Sequence, residues 1–126
     1  MLLIRTHLGP SLIHGIGVMA TEPVAAGQVI WRFAPGLDLV IPAADRATLP
    51  EAFGAYLDTY GYEAPDFPGG TVLSCDHAKF LNHAETPNTI IRGRETLALV
   101  ALAPGDEITC DYRLVVKGWT GFDSGP

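Results

Sequence analysis

Phe80-Leu81-Asn82-His83-Ala84-Glu85-Thr86-Pro87-Asn88 and Gly105-Asp106-Glu107-Ile108-Thr109-Cys110-Asp111-Tyr112 are the two stretches whose reading decides the fold. Each is an apolar run that closes on hydrogen-bonding side chains. Pro87 fixes one φ angle and Asn88 tolerates turn geometry, so the first stretch can close a tight loop. Pro104-Gly105-Asp106 turns the chain into a short strand over 107–110. Upstream, His14-Gly15-Ile16-Gly17-Val18-Met19-Ala20 sets two glycines at the head of a third apolar run. Glycines there let the backbone take positive φ and lie close to a ligand. Residue by residue, plainer readings stand beside these. Gly15-Ile16-Gly17 is also a tight turn, Asn82 a turn cap, His83 a satisfied core histidine and Tyr112 a core aromatic. No third glycine opens a helix after Gly17, which excludes a dinucleotide fingerprint.

The chain has 126 residues, enough for one domain with its own core. Its hydrophobic share of 48% beside 17% charged residues excludes a largely disordered chain. The longest apolar runs, such as 97–103, fall far short of the roughly 20 residues that span a bilayer. The start, Met1-Leu2-Leu3-Ile4-Arg5, has no basic region before its apolar residues and does not read as a signal peptide, which favours the cytoplasm. A net charge of −6 without a Lys/Arg stripe argues against nucleic acid and is compatible with a basic protein partner. Cys75 and Cys110 have neither Cys-x-x-Cys spacing nor a disulfide framework. Cys75, Asp76, His77 and His83 are suitable zinc ligands by type but poorly spaced for convergence, so no metal is expected.

Closely spaced glycines and prolines separate short β-rich runs, read as strands over 16–21, 28–33 and 37–41. Residues 89–92 and 96–100 flank Gly93-Arg94-Glu95 as a hairpin. One helix is expected over about 49–59, with Thr48 and Glu51 as a capping box and Pro50 in its first turn. Leu49, Phe53, Tyr56, Leu57 and Tyr60 form its apolar face, and Gly61 stops it. Tyr56 and Tyr60 read as core, Tyr62 as facing a groove. Residues 63–70 read as a surface loop. The fold class is mainly β with a short inserted helix.

The three motifs, in this order, resemble the SET domain of protein lysine methyltransferases. The resemblance implies a β-clip-like fold of small curved sheets with a knot-like C-terminal crossing. It implies a single SET domain over 1–126, a variable insertion over 42–74 and a post-SET-like tail over 113–126. The implied activity is S-adenosylmethionine-dependent methyl transfer to the ε-amine of a lysine in a protein. Alternatives are a non-catalytic SET-fold binding module and a methyltransferase acting on a small-molecule amine. By the same resemblance Gly15, Ile16, Gly17, Asn82, His83, Tyr112 and Trp119 hold the cofactor. Tyr112 is the catalytic residue, and Tyr62, Trp119 and Phe122 line the lysine channel. Many members carry a cysteine where Glu85 stands, and a trailing cysteine cluster that binds zinc with it. Here both are missing. Specificity is then expected in the insertion, the tail or a second subunit, a two-fold homodimer being the default form.

Overall fold

The computed structural model describes residues 1–115. Along this span run β1 (Thr6–Pro10), β2 (Ile16–Ala20), β3 (Val29–Arg32), β4 (Leu39–Pro42), α1 (Ala43–Arg46), α2 (Glu51–Tyr60), β5 (Gly70–Leu73), β6 (Asn82–His83), β7 (Thr89–Arg92), β8 (Glu95–Ala98) and β9 (Glu107–Cys110). The strands form three small sheets with orders β1-β2-β9-β6, β3-β8-β7 and β4-β5. This mostly β architecture of small sheets is the expected fold class.

The central element is β9. It pairs antiparallel with β2 through Val18↔Ile108 and parallel with β6 through Asn82↔Thr109 and His83↔Cys110. Three segments distant in sequence thereby meet in one sheet. Asn88 extends the join: its backbone N–H donates to Thr109 Oγ1 (3.0 Å), its Nδ2 to the Glu107 carbonyl (2.8 Å), and its Oδ1 accepts from the Thr109 N–H (2.8 Å). A side chain thus supplies the rungs that β6 is too short to provide.

Behind this sheet Ile4, Val18, Ala20, Val24, Ile30, Ala98, Leu102 and Ile108 pack as one core, with Phe80 and Leu81 against it. Val18, Ile30 and Ile108 have no exposed surface, and burying each contributes about 1.5–3 kcal/mol. Because Phe80 and Leu81 are packed on this core, the chain leaves it directly into Asn82 and His83.

Several sequence expectations differ from the structure. The capping box does not form: Pro50 is the N-cap of α2, and Thr48 Oγ1 donates back to the Asp45 carbonyl at 2.8 Å. The extra helix α1 has already used Thr48 at its own end. Tyr56 and Tyr60 are half-buried rather than core, and Leu57 alone in α2 is fully enclosed. The two tyrosines instead join an aromatic row, Phe53–Tyr56–Tyr60–Phe80, with successive centroids 5.8, 4.8 and 5.2 Å apart. The hairpin turns on Gly93-Arg94, with Arg92 and Glu95 already paired. β1 and β5 are strands that sequence reading did not mark.

Candidate functional site

The turn before β2 is built by Ser11 and by Gly15. Ser11 N–H donates to the Gly15 carbonyl at 2.8 Å, and Gly15 takes φ +51°, a conformation that side chains disfavour. Gly17 is fixed for another reason. A Cβ on it would lie 2.5 Å from Glu107 Oε2, so the glycine makes room for a carboxylate. That carboxylate accepts from Ser11 Oγ at 2.8 and 2.9 Å.

Asn82 completes the same hub. Its Nδ2 donates to the carbonyls of His14 (2.9 Å) and Ile16 (3.0 Å) and to Glu107 Oε2 (3.1 Å). Only 4% of Asn82 is exposed, so its side chain holds the glycine turn against β9. Gly15, Ile16, Gly17 and Asn82 therefore form one unit, with Ser11 and Glu107 as its other members. Ser11 was not marked from sequence; a serine four residues before a glycine turn carries no distinctive signal.

His83 is equally enclosed, and its bonds assign its tautomer. Nδ1 accepts the Tyr112 backbone N–H at 3.0 Å, so the ring proton sits on Nε2, which donates to Glu85 Oε1 at 3.2 Å. Asp111 Oδ1 stands 3.7 Å from Nδ1 and would form an ion pair only with a protonated ring, at the expense of the backbone bond. Asp111 is otherwise engaged: it accepts from the Arg113 N–H and, through both oxygens, from the guanidinium. Those bonds hold its carboxyl below the usual range.

Tyr112 follows directly. Its backbone is pinned by His83, and its hydroxyl donates to the Leu81 carbonyl. Burial first, then proximity to Cys110 and to the Glu107 carboxylate, pushes the phenol well above its ordinary value. Tyr112 is therefore a neutral hydrogen-bonding group at physiological pH. Tyr62 is raised in the same direction by burial, then by Asp38 and Cys110. Its backbone is bonded to Val72 of β5 in both directions, at 3.0 and 2.8 Å.

Tyr62 and Tyr112 line one cleft, together with Trp31, Leu81, Ile91 and Lys79 among others. Its cavity volume is about 80 Å³, far below the roughly 300–1,000 Å³ of a drug-sized pocket. The cleft is a small slot. On its wall Trp31 is only 5% exposed, and its Nε1–H has no hydrogen-bond partner among the described residues. Cys110 lines it too, its thiol pushed up to about 12 by burial first and Asp111 second. Sequence reading placed Tyr62 and Tyr112 here but missed Trp31 and Leu81. Leu81 acts through its carbonyl, which no side-chain pattern encodes. Trp119 and Phe122 lie outside the described residues.

The residues present fit a cofactor carrying a positively charged methyl group. Tyr112 Oη and the Leu81 carbonyl bring two oxygens together beside the slot, and polarised C–H groups are favoured against such oxygens. Among the described residues, no atom beyond its own chain neighbours lies within 4 Å of where a Cβ on Gly15 would stand.

No curated protein matches the sequence. Among solved structures, a Plasmodium falciparum protein named as a candidate histone methyltransferase shares 20% identity at TM-score 0.60, over 88% of this chain and 95% of that one. The apo Polycomb Repressive Complex 2 of Chaetomium thermophilum in an autoinhibited state aligns at 18% identity and TM-score 0.67. Its autoinhibited, S-adenosylmethionine-bound form aligns at 16% and 0.65. In both Polycomb alignments 86% of this chain is covered but only 15% of the larger one. At these identities the likeness is one of fold. The family model of the SET domain matches residues 15–113, from the glycine turn to the residue after Tyr112, and the chain belongs to the SET-domain family.

Proposed function

We propose that this protein is an S-adenosylmethionine-dependent methyltransferase whose acceptor is the ε-amine of a lysine in a protein. The observation that carries the reading is the cleft itself: small, largely apolar, and lined by both Tyr112 and Leu81, which share a hydrogen bond. A lysine side chain is four methylenes and an amine, which is the shape such a slot takes. S-adenosylmethionine supplies a sulfonium methyl, which passes to nitrogen as the C–S bond breaks with its electrons left on sulfur.

The chain's residues do the remaining work. The glycine turn over 15–17, held by Asn82, Ser11 and Glu107, together with His83, would bind the cofactor. His83 fixes the Tyr112 backbone and so aims its ring. Tyr112 and Leu81 orient the methyl toward the acceptor nitrogen. Alignment of this kind can supply about 7–11 kcal/mol of the barrier, with no covalent protein nucleophile. The raised phenol of Tyr112 keeps its proton and serves as a donor rather than a base.

Tyr112→Phe tests this. It removes one hydroxyl and its bond to Leu81 and leaves the ring in place. The expected result is unchanged cofactor affinity with transfer to core histones reduced about 10²-fold. Unchanged transfer removes Tyr112 from the mechanism. Cofactor binding without transfer to any protein favours the non-catalytic module, and transfer confined to small amines favours the small-molecule reading.

A further inference from the structure

The buried ring of His83 is faced by two carboxylates, one at each nitrogen. Glu85 Oε1 accepts the Nε2–H at 3.2 Å, and Asp111 Oδ1 stands 3.7 Å from Nδ1. Arg113 ties the two together. Its Nε and Nη2 donate to Asp111 at 2.8 and 2.9 Å, and its Nη1 lies 3.3 Å from Glu85 Oε2. His83, Glu85, Arg113 and Asp111 thus close a ring of contacts that joins the end of β6 to the segment carrying Tyr112. Asp111 has a second duty there. Its Oδ1 accepts the Arg113 N–H at 2.9 Å and so caps the 3₁₀ turn Tyr112–Leu114.

Carboxylates beside an imidazole favour its protonated, cationic form. Here that form would break the local geometry. A proton on Nδ1 turns the acceptor of the Tyr112 amide into a donor, setting two N–H groups against each other across 3.0 Å. It would also draw Asp111 away from the turn that it caps. We propose that Glu85 and Arg113 are positioning residues for methyl transfer. Glu85 holds the ring proton on Nε2, and Arg113 engages both carboxylates so that Nδ1 stays an acceptor and Tyr112 stays aimed. The inference rests on the methyltransferase reading. Two carboxylates sharing one guanidinium leave a single net negative charge beside the ring.

Cys110 and Tyr112 also stand beside His83. Cys110 lies opposite it in the β6–β9 pairing, and the Tyr112 ring centroid is 5.7 Å from that of the imidazole. Burial keeps the thiol and the phenol protonated at neutral pH, so neither adds a charge. Glu107, further back on β9, is taken up by Ser11 and Asn82. The pairing also shows in the partners themselves: the bond to Asp111 holds the Arg113 guanidinium above its ordinary value, and the bond from Arg113 holds Asp111 below its own.

The test follows the pH at which His83 takes its second proton, by nuclear magnetic resonance of the ring in cofactor-free protein. Wild type, Arg113→Gln, Glu85→Gln and the double variant are compared, each first confirmed as folded by its thermal melt. Arg113→Gln leaves both carboxylates unpaired and should raise that pH by about one unit. Glu85→Gln keeps an acceptor for the Nε2–H but removes a charge, and should lower it. The double variant has the net charge of wild type beside the ring and should return to the wild-type pH. In parallel, transfer to core histones at saturating cofactor is measured as a ratio to wild type across pH. Arg113→Gln should lose up to about tenfold at neutral pH, and the deficit should close as pH rises. A His83 titration that ignores these charge changes, or an Arg113→Gln deficit equal at every pH, overturns the inference and leaves the methyltransferase reading standing. Should Arg113→Gln fail to fold, Glu85→Gln decides: a lowered pH supports the inference and an unmoved one overturns it. Wild type that transfers to no protein overturns the methyltransferase reading, and the positioning role with it.

Discussion

Asn82→Asp is close to isosteric, yet it should be among the most damaging single changes in this chain. The amide nitrogen holds the His14 and Ile16 carbonyls and one Glu107 oxygen at 2.9, 3.0 and 3.1 Å. Its two N–H groups serve these three acceptors, at a net of about 0.5–1.5 kcal/mol for a neutral bond and 1.5–3 for the charged one. Losing them costs roughly 2–4 kcal/mol, the whole effect expected for Asn82→Ala. The introduced carboxylate also sits about 3 Å from that of Glu107, where repulsion ranges from about 1.4 kcal/mol at water-like screening to about 5.5 near a protein surface. The sum, roughly 3–10 kcal/mol, competes with a total stability of about 5–15 kcal/mol.

A pH signature separates the two parts. Glu107 and burial raise the introduced carboxyl above its unfolded value of about 3.9, so the folded state binds its proton more readily. Stability relative to wild type is then poorest at neutral pH and recovers as pH falls through the raised folded value. Urea denaturation followed by circular dichroism, at about pH 7 and about pH 5, should show Asn82→Asp gaining on Asn82→Ala at the lower pH. An Asn82→Asp protein within about 1 kcal/mol of wild type at neutral pH would refute the hub, as would a gap between the two variants that ignores pH.

Gly17→Ala forces its methyl to within 2.5 Å of a carboxylate that Ser11 and Asn82 already pin, and should cost about 1–3 kcal/mol in the same assay while weakening cofactor binding. Asp38 is desolvated by burial, which raises its carboxyl, but bonds from the Met1 amine and the Cys75 and Ala34 amides outweigh that and hold it below its ordinary value. Its stabilising contribution is therefore complete above about pH 3.9 and is lost as pH falls through the lower folded value. Asp38→Asn should be less stable at neutral pH, and its deficit should shrink in acid titration of the melting temperature.

The parts of the fold legible in sequence were those with local causes. The Gly93-Arg94 turn, the strands beside it and the end of α2 at Gly61 follow from turn chemistry and periodicity. β1 escaped because Thr6-His7-Leu8-Gly9-Pro10 ends in two strand breakers and lies at a sheet edge, where proline is tolerated. β5 escaped because Gly70-Thr71-Val72-Leu73 is buried throughout and shows no alternation. The parallel join of β6 to β9 spans residues that local pattern cannot connect; the resemblance implied a C-terminal crossing but not this pairing. Asn82, His83 and Tyr112 were singled out by motif, but the work of Asn82 as a clamp on the glycine turn became clear only with Glu107 beside it. Trp31 was invisible as a site residue, since an aromatic on a strand reads as core until its N–H is found without a partner.

The most direct measurement is calorimetric titration of the purified protein with S-adenosylmethionine, repeated with S-adenosylhomocysteine and with the Asn82→Ala protein. Saturable one-site binding, lost or strongly weakened in Asn82→Ala while that protein remains folded, is the predicted result. Absence of binding by the wild type up to millimolar cofactor would contradict the proposed methyltransferase site.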